Sequence, residues 1–201
     1  MPRERAKRLL GDLEEALREV GAPVVEFLQP GLTDEQIDRQ CEPHGLVLPG
    51  ELRAWWGWHN GTDLAAARAA IPGGRGATIG RAWGYQASLK EALAYRTQVI
   101  AEAQQMRDRA GADGYWSASF LPLTLGSNHT LIAEMGSGDA VVVRRMGFDD
   151  AHQLVLAQSL AEYVERWAFA LRTGLLAFEP KYGWDLTIPM TADTAKWDML
   201  L

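Results

Sequence analysis

The change of hydrophobic period along the chain is the feature that most constrains its fold. In several segments up to Arg109 apolar residues recur every three or four positions, as on one side of an α-helix. From Tyr115 the period changes, and apolar residues gather in short runs rich in branched aliphatic residues, which predict strands. Helices followed by consecutive strands and a last helix are typical of the α+β class. We therefore predict a single α+β domain, with helices packed around a central antiparallel sheet of about four to six strands.

Local signals place the helices. A first helix is predicted over 3–20 by a stripe of leucines. A second is set up by Pro49, includes His59 and is ended by Asn60-Gly61. Three further helices are predicted to begin at Ser/Thr-x-x-Glu/Gln capping boxes. The helix that begins at Ser88 is predicted to run to about Arg109. Three such boxes are present: Thr33–Gln36, Ser88–Glu91 and Ser159–Glu162.

Turn residues separate the predicted strands. The strand candidates are Phe120–Leu123, Leu131–Met135, Ala140–Arg144 and Leu154–Ala157. Gly136–Asp139 has the composition of a hairpin turn, so its flanking strands are expected to pair antiparallel. Extended backbone is also expected over 23–28, and a short strand within 77–85. The glycine-rich 73–80 segment matches neither phosphate-binding glycine motif and is interpreted as a loop.

Charge and cysteine content narrow the function classes. The net charge is −6, which gives no diffuse attraction for nucleic acid, and the single Cys41 suits a reducing compartment. The start of the chain lacks the apolar core of a secretion signal, and no apolar run of about 18 residues is present. We expect a cytoplasmic protein with no membrane partner and no direct nucleic-acid partner.

The chain carries no convincing catalytic or metal motif, and no cofactor is expected. Four histidines lack metal-ligand spacing, and no nucleophile motif surrounds the serines. The one enzyme hypothesis left open is a hydrolase or metal-dependent enzyme using His129, Glu134, Asp149 and His152. His129 and Glu134 would face opposite sides of an extended strand, which argues against their acting together as an acid/base pair.

Several segments, in order, resemble the SUKH superfamily of Smi/Knr-like proteins. The proline-led helix with Asn60-Gly61 after it is similar to one family element, and Ser159–Val164 is similar to the family's closing helix. The strand segments that resemble the family are Phe120–Leu123, Leu131–Glu134 and Ala140–Val143. Many relatives carry Gly-Asp where this chain has Asn128-His129, and an Asp where it has Glu134.

The resemblance implies an α+β domain over 31–176, with a helical insertion at 88–110. Residues 1–30 would be a helix and linker, and 177–201 a docked C-terminal tail. Bacterial members of the family resemble immunity proteins that bind and block a toxin, often a nuclease or deaminase, whereas fungal relatives serve in cell-wall regulation. The expected function is therefore non-enzymatic binding to a basic protein toxin, with occlusion of the toxin's active site.

The expected interface combines an aromatic anchor with acidic residues. Between Arg109 and Arg144 the chain holds acids but no Lys or Arg, and such a stretch complements a basic surface. The candidate partner-binding residues are Trp58, Glu134, Asp139, Asp149 and Asp150. The other tryptophans are expected in the core. A regulatory or scaffold protein is a further alternative, for which an exposed apolar patch near the tail would be the sign.

Overall fold

A computed structural model describes residues 1–71, 78–79, 84–110, 116–126, 129–147, 154–179 and 183–186 of the chain. Within these ranges the α-helices are α1 (Pro2–Glu19), α2 (Asp34–Cys41), α3 (Gly50–Trp58), α4 (Leu64–Ala70), α5 (Leu89–Ala110) and α6 (Leu160–Arg172). The strands are β1 (Leu28–Pro30), β2 (His59–Thr62), β3 (Tyr85–Gln86), β4 (Phe120–Pro122), β5 (Thr124–Leu125), β6 (His129–Met135), β7 (Val141–Gly147), β8 (Leu154–Ala157), β9 (Leu176–Glu179) and β10 (Gly183–Leu186).

The largest sheet of the described chain has four strands in the order β4-β6-β7-β8, and all neighbouring pairs are antiparallel. β6 and β7 form the hairpin predicted around Gly136–Asp139, with Met135 opposite Val141. Two-stranded pairs form between β1 and β2, β3 and β5, and β9 and β10. The predicted α+β class is confirmed. The main sheet has four strands, the lower end of the predicted four to six.

The two faces of the main sheet are covered by different helices. Leu131 and Ala133 of β6 belong to the main core, which also contains the apolar sides of α1, α3 and α6. Ile132 lies on the other face, where it packs with Val99 and Ala103 of α5 in a second cluster. Successive strand residues face opposite sides, so three consecutive buried residues require cover on both faces. The 22-residue helix α5 supplies the second cover.

The N-terminal helix is part of the same core as α3 and α6. Its buried stripe consists of Ala6, Leu9, Leu10, Leu13, Ala16 and Leu17. α1 packs mainly against α6 and α3. Polar contacts at its rim add to this packing: Arg5 pairs with Glu165 at 2.7 Å, and Arg172 donates to the Asp12 carbonyl at 3.1 Å.

The capping boxes are present at the helix starts that they predict. The Thr33 hydroxyl accepts from the Gln36 N–H, and the Gln36 side chain accepts from the Thr33 N–H at 2.8 Å. Ser88 and Glu91 make the same reciprocal pair. At α6 the Ser159 hydroxyl accepts from the Glu162 N–H. The Glu162 carboxylate does not return to the N–H of Ser159 but accepts from that of Gln158, one residue earlier.

Two local predictions need correction. Most of 23–28 is not extended, because Pro23–Phe27 forms a 3-10 helix and extended backbone begins only at Leu28. Proline at a first helical position has a helical φ and no N–H to satisfy, which favours this turn. Helix α4 was missed, although Asp63 caps it by accepting the Ala66 N–H at 2.9 Å before an alanine-rich run.

Other predicted segments lie partly outside the described residues. Of the strand expected within 77–85, the structure describes residues 78–79, 84 and 85, and Tyr85 opens β3. Most of the glycine-rich 73–80 segment lies outside them too. The tail is described only to Leu186, with Trp184 buried in the main core and its Nε1–H donating to the Thr78 carbonyl at 3.0 Å.

The chain before α2 passes so close to α3 that glycine is required. A Cβ added at Gly31 would lie 2.0 Å from the carbonyl oxygen of Gly57 and 2.9 Å from that of Trp58. The same passage is held by the Leu32 N–H, which donates to the Trp56 carbonyl at 2.8 Å. This contact fixes the end of α3 against the chain that enters α2.

Gly31→Ala is expected to destabilise the protein by about 1–3 kcal/mol, because the added methyl group overlaps backbone atoms that cannot move independently. Urea unfolding followed by tryptophan fluorescence measures the change. Gly11→Ala is the matched control: nothing lies within 4 Å of its added Cβ in α1, so it should be neutral or stabilising. An unchanged midpoint for Gly31→Ala would contradict the close approach.

Candidate functional site

The three candidate interface residues that the structure describes, Trp58, Glu134 and Asp139, are not gathered at one place. Asp139 contacts the first residue of α3, whereas Trp58 is its last residue, about 12 Å further along the axis. Glu134 lies on β6, on the face of the sheet that α5 partly covers. Asp149 and Asp150 lie outside the described residues.

Glu134 is paired with a cation within the sheet. Its Oε2 accepts from Arg144 Nε at 2.7 Å and lies 2.6 Å from Arg144 Nη2. Phe120 stands directly opposite Glu134, and the Arg144 guanidinium carbon lies 6.0 Å from the centre of the Phe120 ring. The negative charge of Glu134 is therefore offset locally, so this residue contributes less to an acidic field than its sequence context indicated.

Asp139 serves as a cap for a helix that is distant in sequence. The residue before α3, Pro49, has no side chain that can cap it. From the β6–β7 turn, Asp139 Oδ1 accepts the Gly50 N–H at 3.3 Å, and the Asp139 carbonyl accepts the Glu51 N–H at 3.1 Å. Its side chain is thus partly engaged in structure, although the residue is exposed.

Sequence reasoning gave no role to Glu51, which is 1% exposed. Its Oε2 accepts the backbone N–H groups of Val141 and Leu160, both at 2.9 Å, and its Oε1 accepts that of Ala161 at 3.2 Å. Leu160 and Ala161 open α6, where free N–H groups and the helix dipole favour an anion. Glu51 thereby joins α3, β7 and α6 through one buried carboxylate.

Trp58 belongs to a polar and aromatic cluster at the other end of α3. Its Nε1–H donates to Glu14 Oε2 at 2.7 Å, and its ring lies 5.7 Å from that of Trp55 and 4.7 Å from that of His59. His59 Nε2 lies 3.2 Å from the same carboxylate oxygen, and Glu14 Oε1 pairs with Arg18. The indole is half-buried, with its only donor already used.

The electrostatics of this cluster favour an ionised Glu14. Partial burial opposes ionisation, but the hydrogen bonds from Trp58 and His59 and the charges of His59 and Arg18 outweigh it. Together they hold the pKa of Glu14 below its usual value.

An open cleft adjoins the cluster through Arg18. Its lining residues are Arg18, Gly21, Ala22, Pro23, Val25 and Glu26.

The residues of the enzyme hypothesis are not brought together in the described chain. His129 and Glu134 lie at positions of opposite parity on β6, roughly 17 Å apart along the strand. His152 and Asp149 lie outside the described residues. Among the residues that the structure describes, no group of three or more His, Cys, Asp or Glu side chains is placed to hold a metal ion.

Comparisons with known proteins add no relative: no family model matches the chain, and no curated protein matches it. Within the described ranges, no helix combines the length and the apolar character needed to cross a membrane.

Replacing Glu51 tests whether its carboxylate joins α3 to β7 and α6. Glu51→Gln is expected to lower the free energy of unfolding by about 3 kcal/mol, because the amide would turn an NH2 group toward backbone donors. Chemical denaturation of wild type and variant measures this loss. Glu15→Gln, at an exposed acid on α1, is the control and should change the midpoint little. Equal stability of the two variants would contradict the assigned role of Glu51.

Proposed function

We propose that the chain is a non-enzymatic, immunity-type protein of the SUKH superfamily that binds a basic protein toxin and occludes its active site. The toxin would be of the nuclease or deaminase class. Cytoplasmic action belongs to this proposal, as does the expectation that the chain binds neither nucleic acid nor membrane directly.

One observation carries the proposal: segments that resemble the family meet at a single carboxylate. Glu51 belongs to the proline-led helix, Val141 to the strand after the hairpin, and Leu160 to the closing helix. Their direct connection supports the proposal in so far as it places the three segments in one packed unit, as a single domain of this family requires.

The distribution of charge supports a basic partner. The chain has an excess of six acids, and two of the acids in its middle region are already committed. Glu134 is neutralised by Arg144, and Asp139 caps α3. The acids proposed to act on the partner at long range are therefore chiefly Asp149 and Asp150, with Asp139 exposed at the turn and Trp58 as the aromatic contact.

The first experiment captures the partner and then tests inhibition. Tagged chain is incubated with lysate of its native cells at low and high salt, and retained proteins are identified by mass spectrometry. We expect a basic protein, released by salt, whose nuclease or deaminase activity falls to zero as the chain is added to a one-to-one ratio. A retained toxin that stays fully active in the complex would contradict occlusion of its active site.

Charge reversal tests the assigned acids. Asp149→Lys with Asp150→Lys is expected to slow association with the captured toxin about tenfold at low salt, because steering by opposite charge is lost. Stopped-flow or surface-based kinetics measure the association rate. Glu4→Lys with Glu15→Lys changes the net charge equally at exposed positions on α1 and is the matched control. Equal rates for both double variants would remove the specific role of Asp149 and Asp150.

A further inference from the structure

Arg96 of α5 is half-buried and has no carboxylate partner within the described chain. Its guanidinium donates through Nη2 to the backbone carbonyl of Ala118 at 2.6 Å, and its Nε is shielded from solvent without an acceptor. We propose that Arg96, together with the hydroxyl groups of Ser117 and Ser119, forms a binding site for a single oxyanion, a carboxylate or a phosphate group. Four other half-buried arginines each pair with an acid: Arg3, Arg53, Arg144 and Arg166.

The residues around Arg96 explain why it lacks a counter-charge. Side chains three and four positions away on a helix lie beside each other, and around Arg96 all four such neighbours are apolar. They are Ala92, Leu93, Val99 and Ile100. On the sheet, the carboxylate of Glu134 lies opposite Phe120 but is already paired with Arg144. Arg96 is therefore a cation for which the described chain supplies no acid.

The guanidinium of Arg96 is partly removed from water but still open on one side. Burial lowers its pKa, because a charged group loses hydration there, yet an arginine keeps its charge at neutral pH. Nη1 has no acceptor among the described residues and, unlike Nε, is not shielded from solvent. An anion that reaches Nη1 would offset the lost hydration with a charge-assisted hydrogen bond.

The two serines supply a neutral donor at the same turn. Their hydroxyl oxygens lie 2.8 Å apart, and Ser117 Oγ also accepts the Ser119 N–H at 3.2 Å. One hydroxyl proton forms the bond between them, so the other has no acceptor among the described residues and is free to be donated outward. Ala118, whose carbonyl holds Arg96, lies between the two serines. A guanidinium N–H and a hydroxyl proton together match two oxygens of one oxyanion.

The local charge favours an anion although the whole chain is acidic. The described segment 116–126, which contains the serines, has no acidic residue. On α5 the nearest acids, Glu91 and Glu102, are five and six positions from Arg96 and accept hydrogen bonds from Ser88 and Gln98. An oxyanion at this turn would therefore meet one positive charge without an adjacent negative charge from the described residues.

The test uses the full chain without any partner, so its outcome is independent of the proposed function. Sodium phosphate and sodium acetate are titrated separately, with sodium chloride holding the ionic strength constant. Proton–nitrogen spectra follow the Arg96 Nε–H and the backbone amides of Ser117 and Ser119. We expect these signals to shift and saturate with an oxyanion and not with chloride. The stronger of the two responses identifies the group as phosphate or carboxylate, and no saturable shift with either would overturn the proposal.

Matched variants assign the binding to this site. Arg96→Gln is expected to weaken oxyanion binding about tenfold, because a hydrogen bond to a charged group is lost. Arg107→Gln removes the same charge from an exposed position on α5 and should leave the affinity unchanged. Ser117→Ala with Ser119→Ala should weaken binding about fivefold. Equal affinities for Arg96→Gln and Arg107→Gln would overturn the site, and the wild-type Arg96 signal still decides if a variant fails to fold.

Discussion

The buried carboxylate of Glu51 is the interaction on which the architecture depends. Taking a charge out of water costs several kcal/mol, and that cost is offset only when its hydrogen-bonding capacity is filled. Here three backbone N–H groups, two of them at the start of α6, fill it. Because the donors come from β7 and α6 while the acceptor comes from α3, the positions of the closing helix and the main sheet are set together.

The opposite end of α3 is organised by a second set of polar contacts. Trp58 and His59 both reach Glu14, which places α1 against the end of α3 and the start of β2. The close approach at Gly31 holds the entering chain against the same helix end. A short helix of nine residues is thus anchored at both ends by side chains from distant parts of the chain. This explains how α3 keeps its place without a capping side chain of its own.

Local signals in the sequence predicted most elements, whereas the side-chain contacts that hold the elements together are long-range and were not predicted. The capping residues Thr33, Ser88 and Ser159 act on neighbours three residues away, so their helices could be predicted from short windows. The cap that Asp139 supplies to Gly50 spans 89 residues and has no local signature. Trp58 is half-buried and so differs from the buried Trp55 and Trp56, as the end of a helix predicts, but its partner Glu14 lies 44 residues away and could not be found by spacing.

The central claim is that Glu51 ties β7 and α6 to α3 in one cooperative unit. Amide hydrogen exchange of Val141, Leu160 and Ala161 in the wild-type protein tests it most directly, because these N–H groups are the ones that the carboxylate holds. The account predicts that all three exchange only through global unfolding, with the same free energy as denaturant unfolding gives. Rapid exchange of the α6 amides through local opening, with the rest of the core protected, would contradict it.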